Sequence, residues 1–173
     1  MRKFLTVSGV ASTAVAVGLL LATPAAAAKA SSEFDVVFPG NKPHTAYYVD
    51  NTVDLNGANV MGKAMLHWGI LVDQVVDNSK RFTSFKITTK LEQRLTRFGA
   101  DRVVSSRTCD LTRLVNDHYD WFVDEPVNNC VASPTPYDRE LWWSSDSTIV
   151  YDIEGDTKGP ITQELQGTPL VHG

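Results

Sequence analysis

Cysteine is scarce in this chain, and so are the short patterns that most often carry chemistry. Cys109 and Cys130 are its two cysteines. Neither lies in a C-x-x-C pair, which argues against a redox motif and against a cysteine-rich zinc site. There is no G-x-S-x-G and no H-E-x-x-H. The four histidines, His44, His67, His118 and His172, never fall two or four residues apart, so no transition-metal pair is built locally and no cofactor is expected. Lys and Arg form no basic stripe and the formal charge is −4, which argues against nucleic acid as a partner.

What is present starts at the N-terminus. Arg2 and Lys3 precede residues 4–22, which carry no charge, and then come Thr23, Pro24 and four alanines. A cationic start, an apolar stretch and small residues at a cleavage point make a secretory signal, expected over residues 1–28 with cleavage after Ala28 or Ala30. About 19 uncharged residues could also just span a bilayer as a retained anchor. Ser8, Gly9, Ser12, Thr13 and Gly18 dilute that stretch, and a cleavage pattern follows it directly. No later stretch is apolar for long enough to cross, so no membrane contact is expected after signal removal. Losing Arg2 and Lys3 takes the formal charge from −4 to −6, which argues against anionic membrane surfaces as well.

An exported chain meets an oxidising compartment, where an even cysteine count reads as a disulfide. Two cysteines leave one intramolecular connectivity, Cys109 to Cys130, with a pair of free thiols as the alternative. Closing that loop in the unfolded chain stabilises the fold by about 3 kcal/mol on the chain-entropy model. Residues 31–173 then make a single domain, large enough to bury its own core.

The clearest structural signal lies in residues 81–97. Thr83, Phe85, Ile87, Thr89, Leu91, Gln93 and Leu95 alternate with Ser84, Lys86, Thr88, Lys90, Glu92, Arg94 and Thr96. One face is apolar and one is wet, which predicts an antiparallel strand. Val60, Gly62, Ala64, Leu66, Trp68, Ile70 and Val72 alternate in the same way, and 34–38, 46–49, 102–109 and 148–153 are shorter runs of strand-forming residues. Turn chemistry at Asn56-Gly57, Asp77-Asn78-Ser79, Phe98-Gly99-Ala100-Asp101 and Glu154-Gly155-Asp156 sits beside these runs. The expected fold class is therefore all-β, an antiparallel sandwich.

Inside the disulfide, Leu111, Leu114, Val115, His118 and Phe122 fall at helical spacing, with Thr108 or Asp110 available as N-cap. A short helix after Cys109 is one expectation, and a loop pinned by the disulfide is the other. Pro134 and Pro136 keep 132–139 from pairing as a central strand, so that stretch is expected to be an exposed connection.

The stretch Cys109-Asp110-Leu111-Thr112, with the tail from Val150-Tyr151-Asp152-Ile153 through Gly159-Pro160 to Pro169-Leu170-Val171, resembles small secreted actinobacterial proteins of unknown function. The resemblance implies an immunoglobulin-like form of the sandwich. It carries no catalytic residue.

Three groups of residues could support function. Trp142 and Trp143 are adjacent, so on a strand they face opposite sides, and with Tyr137 an exposed indole could stack on a sugar or anchor a protein. Asp152, Glu154 and Asp156 place carboxylates at alternate positions, as calcium loops do. Thr157, Gln163 and Pro160 break that pattern, and an acidic turn accounts for it equally well. The proline-bearing loop 133–139, braced by Cys130, could be presented to a protease as an inhibitor loop. A catalytic site assembled from distant residues would make the chain a small extracellular hydrolase instead. The leading expectation is a secreted, extracellular, non-enzymatic domain that binds a protein or glycan partner.

Overall fold

The computed structural model describes residues 27–71 and 75–173. Residues 1–26, which hold most of the signal expected over 1–28, and Val72 at the end of its alternating run lie outside the described residues. The described chain is an antiparallel β-sandwich. One sheet runs in the order β1 (Ala28–Val36), β2 (Thr45–Asn56), β3 (Asn59–Ile70), β6 (Asn129–Val131), with β7 (Thr135–Pro136) also on β3. The other runs β5 (Arg102–Asp110), β4 (Phe82–Arg94), β8 (Trp142–Ile153), β9 (Ile161–Glu164).

Period-two alternation sets which side chains meet between the sheets. Val60, Ala64, Leu66 and Trp68 of β3 are buried against Phe85, Ile87 and Leu91 of β4 and Ile149 of β8. At the start of β4 the pattern departs from expectation. A register shift between Phe82 and Ser84 turns Phe82 inward and leaves Thr83 exposed, as an extra residue in a strand must. Leu95, expected on the buried face, lies beyond the strand's end in solvent.

The core is divided by a polar waist. Tyr47, Trp68, Phe82 and Phe85 fill one end, while Val53, Val60, Leu91 and Trp143 fill the other. Between them Asn51, Thr89, Ser145 and Ser147 are buried. Each keeps a bond there: Ser145 Oγ donates to the Lys90 carbonyl at 3.2 Å, Ser147 Oγ to Thr89 Oγ1 at 3.2 Å, and Asn51 Nδ2 to the Gln166 carbonyl at 2.8 Å. Gly62 faces this waist, where a Cβ would lie 2.6 Å from Ser145 Oγ. Small residues therefore let the sheets approach, and this is why the serine-rich first half of β8 is strand rather than loop.

Along the free edge of β3 runs a strand broken by prolines. Trp121 exchanges backbone bonds with Trp68 at 2.8 and 3.1 Å, the Asn128 amide donates to the Leu66 carbonyl, and β6 and β7 follow. Part of 132–139 is thus edge strand rather than free connection, a place where proline is tolerated. Cys109 of β5 and Cys130 of β6 form the expected disulfide, which joins the edge strands of the two sheets on one flank. The exposed edge of β5 carries a bulge opposite Leu91 and Glu92, and Arg107 opposite inward-facing Thr89. Both features discourage another strand from adding there.

The expected helix is α1 (Thr112–Asp117), burying Val115, with Leu111 buried just before it. Asp110 Oδ1 accepts the Thr112 N–H at 3.0 Å, whereas Thr108 bonds Thr88 instead. Thr112, through its side chain first and its N–H second, holds the Asp110 carboxyl below its ordinary range. The N-cap itself is neither expected residue but Leu111, which has no side-chain cap bond. Phe122, expected on the helical stripe, lies past the helix with its ring over Gly69. Arg81 is fully buried and donates to the carbonyls of His118 and Tyr119, at 2.7 and 3.3 Å, just after the helix. A cation is favoured at that end of a helix.

At the N-terminus, β1 already begins at Ala28. Lys29 pairs with Asp50 at 2.7 Å and Ala30 is buried. Cleavage after Ala30 would remove three paired residues, whereas cleavage after Ala28 leaves the strand almost entire.

Candidate functional site

Loops gather at the two ends of a sandwich, and one end collects most of the residues singled out above. It contains the β2–β3 turn at Gly57, whose φ is 62°, the β4–β5 loop at 95–101, the stretch 133–143 and the C-terminal residues 171–173. Backbone bonds lock these pieces together. The Tyr137 N–H donates to Ala58, Trp143 and Val171 exchange bonds at 2.8 Å, and the Gly173 N–H donates to Arg139.

The three aromatic residues do not make one exposed platform. Trp143 faces inward and is 1 % exposed, with Nε1 donating to the Asp138 carbonyl at 2.9 Å. Tyr137 packs beside it, ring centroids 6.2 Å apart, and donates its hydroxyl to the Gly173 carbonyl. Trp142 points to the other side of the sheet, as adjacent strand residues must. The imidazole of His172 lies parallel to it at 4.1 Å. Trp143 thus serves the core, Tyr137 packs on its edge, and Tyr137 and Trp142 each keep a partly open surface.

The exposed apolar group at this end is the β4–β5 hairpin tip. Phe98 is 91 % exposed and Leu95 82 % exposed, with Val103 beside them at 48 %. A single exposed apolar residue is unremarkable on a protein surface. Here the loop is also held in shape. The Arg94 guanidinium forks onto both carboxylate oxygens of Asp101 across the loop mouth, and the Gly99 N–H donates to the Thr96 carbonyl at 3.0 Å. The Arg97 guanidinium lies 5.7 Å from the centre of the Phe98 ring. Beneath the tip, Gln93, Leu95, Ala100 and Arg102 line a hollow of about 170 Å³. That is below the size of a drug-like ligand site.

Glu92 stands on the wet face of β4 near this loop, opposite Ser144. Its pKa is pushed up by burial first and then by Asp101 and Asp146, with Lys90 and Arg94 opposing. A carboxyl whose folded pKa is raised weakens the fold when ionised: the penalty is absent below its unfolded pKa and complete above its folded one. Glu92→Gln is therefore expected to stabilise the protein at pH 7, by less than about 1 kcal/mol because the half-buried carboxylate is still screened by solvent. Near pH 3, about a unit below an ordinary glutamate, the two proteins should have equal urea midpoints. A difference that persists there would show that ionisation is not its cause.

The acidic triplet lies at the opposite end and does not converge. Glu154 is taken by Lys80 at 2.7 Å and Thr83 at 2.9 Å, and Asp156 accepts the Lys158 N–H within its own turn. Among the described residues no three His, Cys, Asp or Glu side chains are placed to hold a metal. The one histidine–carboxylate contact recorded among the described residues joins His67 Nε2 to Asp124 at 2.8 Å on the outer face of the first sheet. No serine, threonine or cysteine is bonded to His67 there, so that dyad lacks a nucleophile.

Phe98 and Leu95 were not singled out by sequence. Phe98 sits in a turn signature, Leu95 continues a strand pattern, and burial of either depends on where the strand stops. The signal available was a large aromatic placed among turn residues and flanked by arginine. No family model, curated protein or solved structure matches the chain.

Proposed function

We propose that this chain is an exported, non-enzymatic binding domain that engages an extracellular partner through the hairpin end of the sandwich. The observation carrying this is Phe98: a fully presented aromatic on a loop that an arginine fork holds in place. A flexible loop could fold such a ring away, whereas this one keeps it in water, and burying it on a partner returns about 2 kcal/mol. Trp142 and Arg97 flank the same end and are residue types that anchor interfaces. A glycan is less well served, because Trp143 is buried in the core and Tyr137 packs half-buried on its edge with its hydroxyl bonded to Gly173. The stretch 133–139 is tied to β3 through Thr135 and Pro136 and to the β2–β3 turn through Tyr137, while Ser133, Pro134, Pro136, Asp138 and Arg139 stay exposed.

Retention on envelope preparations of the source cells, containing both wall and membrane, tests the proposal. The mature protein should be retained, and Phe98→Asp should reduce retention at least about tenfold while leaving the unfolding midpoint unchanged. Equal retention of both proteins, or none of either, would remove the hairpin end as the contact surface.

A further inference from the structure

We infer that the surface met by the hairpin is an anionic lipid layer, with Phe98 and Leu95 entering the interfacial region and Arg97 and Arg102 meeting phosphate groups. This rests on the hairpin being the contact surface and names its partner. Residues 95–100 (Leu-Thr-Arg-Phe-Gly-Ala) contain no acidic side chain. The one carboxylate in the loop, Asp101, is neutralised by the Arg94 fork. Arg97 and Arg102 are both exposed and have no carboxylate partner among the described residues.

The side chains at the tip favour a soft surface over a protein pocket or a sugar. Phe98 and Leu95 are the two most exposed large apolar residues among those described, with the exposed Arg97 and Arg102 on the same loop, the combination used by interfacial membrane anchors. A sugar would need a flat ring with free hydrogen-bonding side chains beside it; here the Asp101 carboxylate is held by the Arg94 fork and the Gln93 amide lies in the hollow beneath the tip. The net charge, −4 for the full chain and −6 without Arg2 and Lys3, points the other way, but it is summed over the whole molecule. At physiological ionic strength charges act over about 8 Å, so a membrane under the tip meets Arg97 and Arg102 and the paired Arg94 and Asp101 first, with Glu92 lower on the same hairpin and Asp138 and Glu140 elsewhere at that end. Phosphate contacts then add to the apolar insertion in a salt-dependent way. No helix among the described residues is long and apolar enough to cross a membrane, so contact would be peripheral.

Co-sedimentation of the mature full-length protein with vesicles tests this. One set is phosphatidylcholine alone, and the other is equal parts phosphatidylcholine and phosphatidylglycerol. Binding should be at least about tenfold stronger to the anionic set at low salt and should weaken as salt rises. Phe98→Asp should lose at least about tenfold, and replacing Arg97 and Arg102 by glutamine about fivefold for each charge removed. Phe98→Trp should bind and shift its fluorescence to the blue on anionic vesicles. Absence of binding to anionic vesicles, or equal binding by wild type and Phe98→Asp, overturns the lipid assignment. If the envelope preparation still retains wild type but not Phe98→Asp, the hairpin remains the contact surface and its partner is a wall glycan or a protein.

Discussion

Asn116→Ala is expected to lower the unfolding free energy by about 3 kcal/mol, because three backbone groups lose their partner at once. β5 stops pairing with β4 at Lys86, opposite Asp110, so the first residues of β4 have no strand beside them on that flank. Helix α1 takes its place with side chains one turn apart. Asn116 Oδ1 accepts the N–H groups of Arg81 and Phe82 at 2.8 and 3.0 Å, and its Nδ2 donates to the Phe82 carbonyl at 2.9 Å. Thr112 Oγ1 accepts the Phe85 N–H at 2.8 Å. Alanine removes the amide without supplying water a clear path, since Phe82 and Arg81 are fully buried. A lower urea midpoint with an unchanged slope is the expected measurement. Asn116→Asp keeps the acceptor, loses the donor and should fall between. A loss under about 0.5 kcal/mol, the level of an ordinary surface change, would mean that the bulged start of β4 is held by something else.

Removing the disulfide, as Cys109→Ala with Cys130→Ala, should lower stability by about 3 kcal/mol, or roughly 6–12 °C in Tm for a domain of this size. The bond ties the edge strands of opposite sheets and closes the segment that contains α1. β6 has only three residues and cannot hold that flank alone. The two substitutions act on one segment and should not add: without the disulfide, Asn116→Ala should be less costly than in the intact protein. Full additivity in a double-mutant cycle would show that α1 docks independently of the disulfide. The hairpin tip lies at the opposite end of β5 from Cys109, so envelope retention of the folded variant should be unchanged.

Much of this architecture was legible because alternation is a local property. Odd positions from Phe85 to Leu91, and even positions from Val60 to Trp68, face inward as their pattern demands. The spacing of Leu111 and Val115 allowed helix α1 without deciding it against a loop pinned by the disulfide. What resisted reading were positions where a neighbour distant in sequence takes over. Thr83 and Leu95 belonged to the buried face by parity, yet a bulge reversed the first and the strand ended before the second. The serine-rich start of β8 resembles a loop until Gly62 is placed opposite Ser145. Arg81 is a charged residue beside a turn, and nothing local foretells that two carbonyls after a helix will enclose it.

The same division applies to function. An N-terminal export pattern, two cysteines with one connectivity and a strand period of two determined an all-β sandwich closed by a single disulfide, since each depends on residue type and spacing alone. Tertiary structure decided which aromatic residues are available. Trp143 was withdrawn into the core beside Val171, Tyr137 and Trp142 were half covered by the C-terminal residues, and Phe98 was left in water on a braced hairpin. Burial is a property of what packs on a residue, and for each of these side chains the covering element, or the lack of one, lies tens of residues away in sequence or, for the pair at the C-terminal end, in the last few residues of the chain.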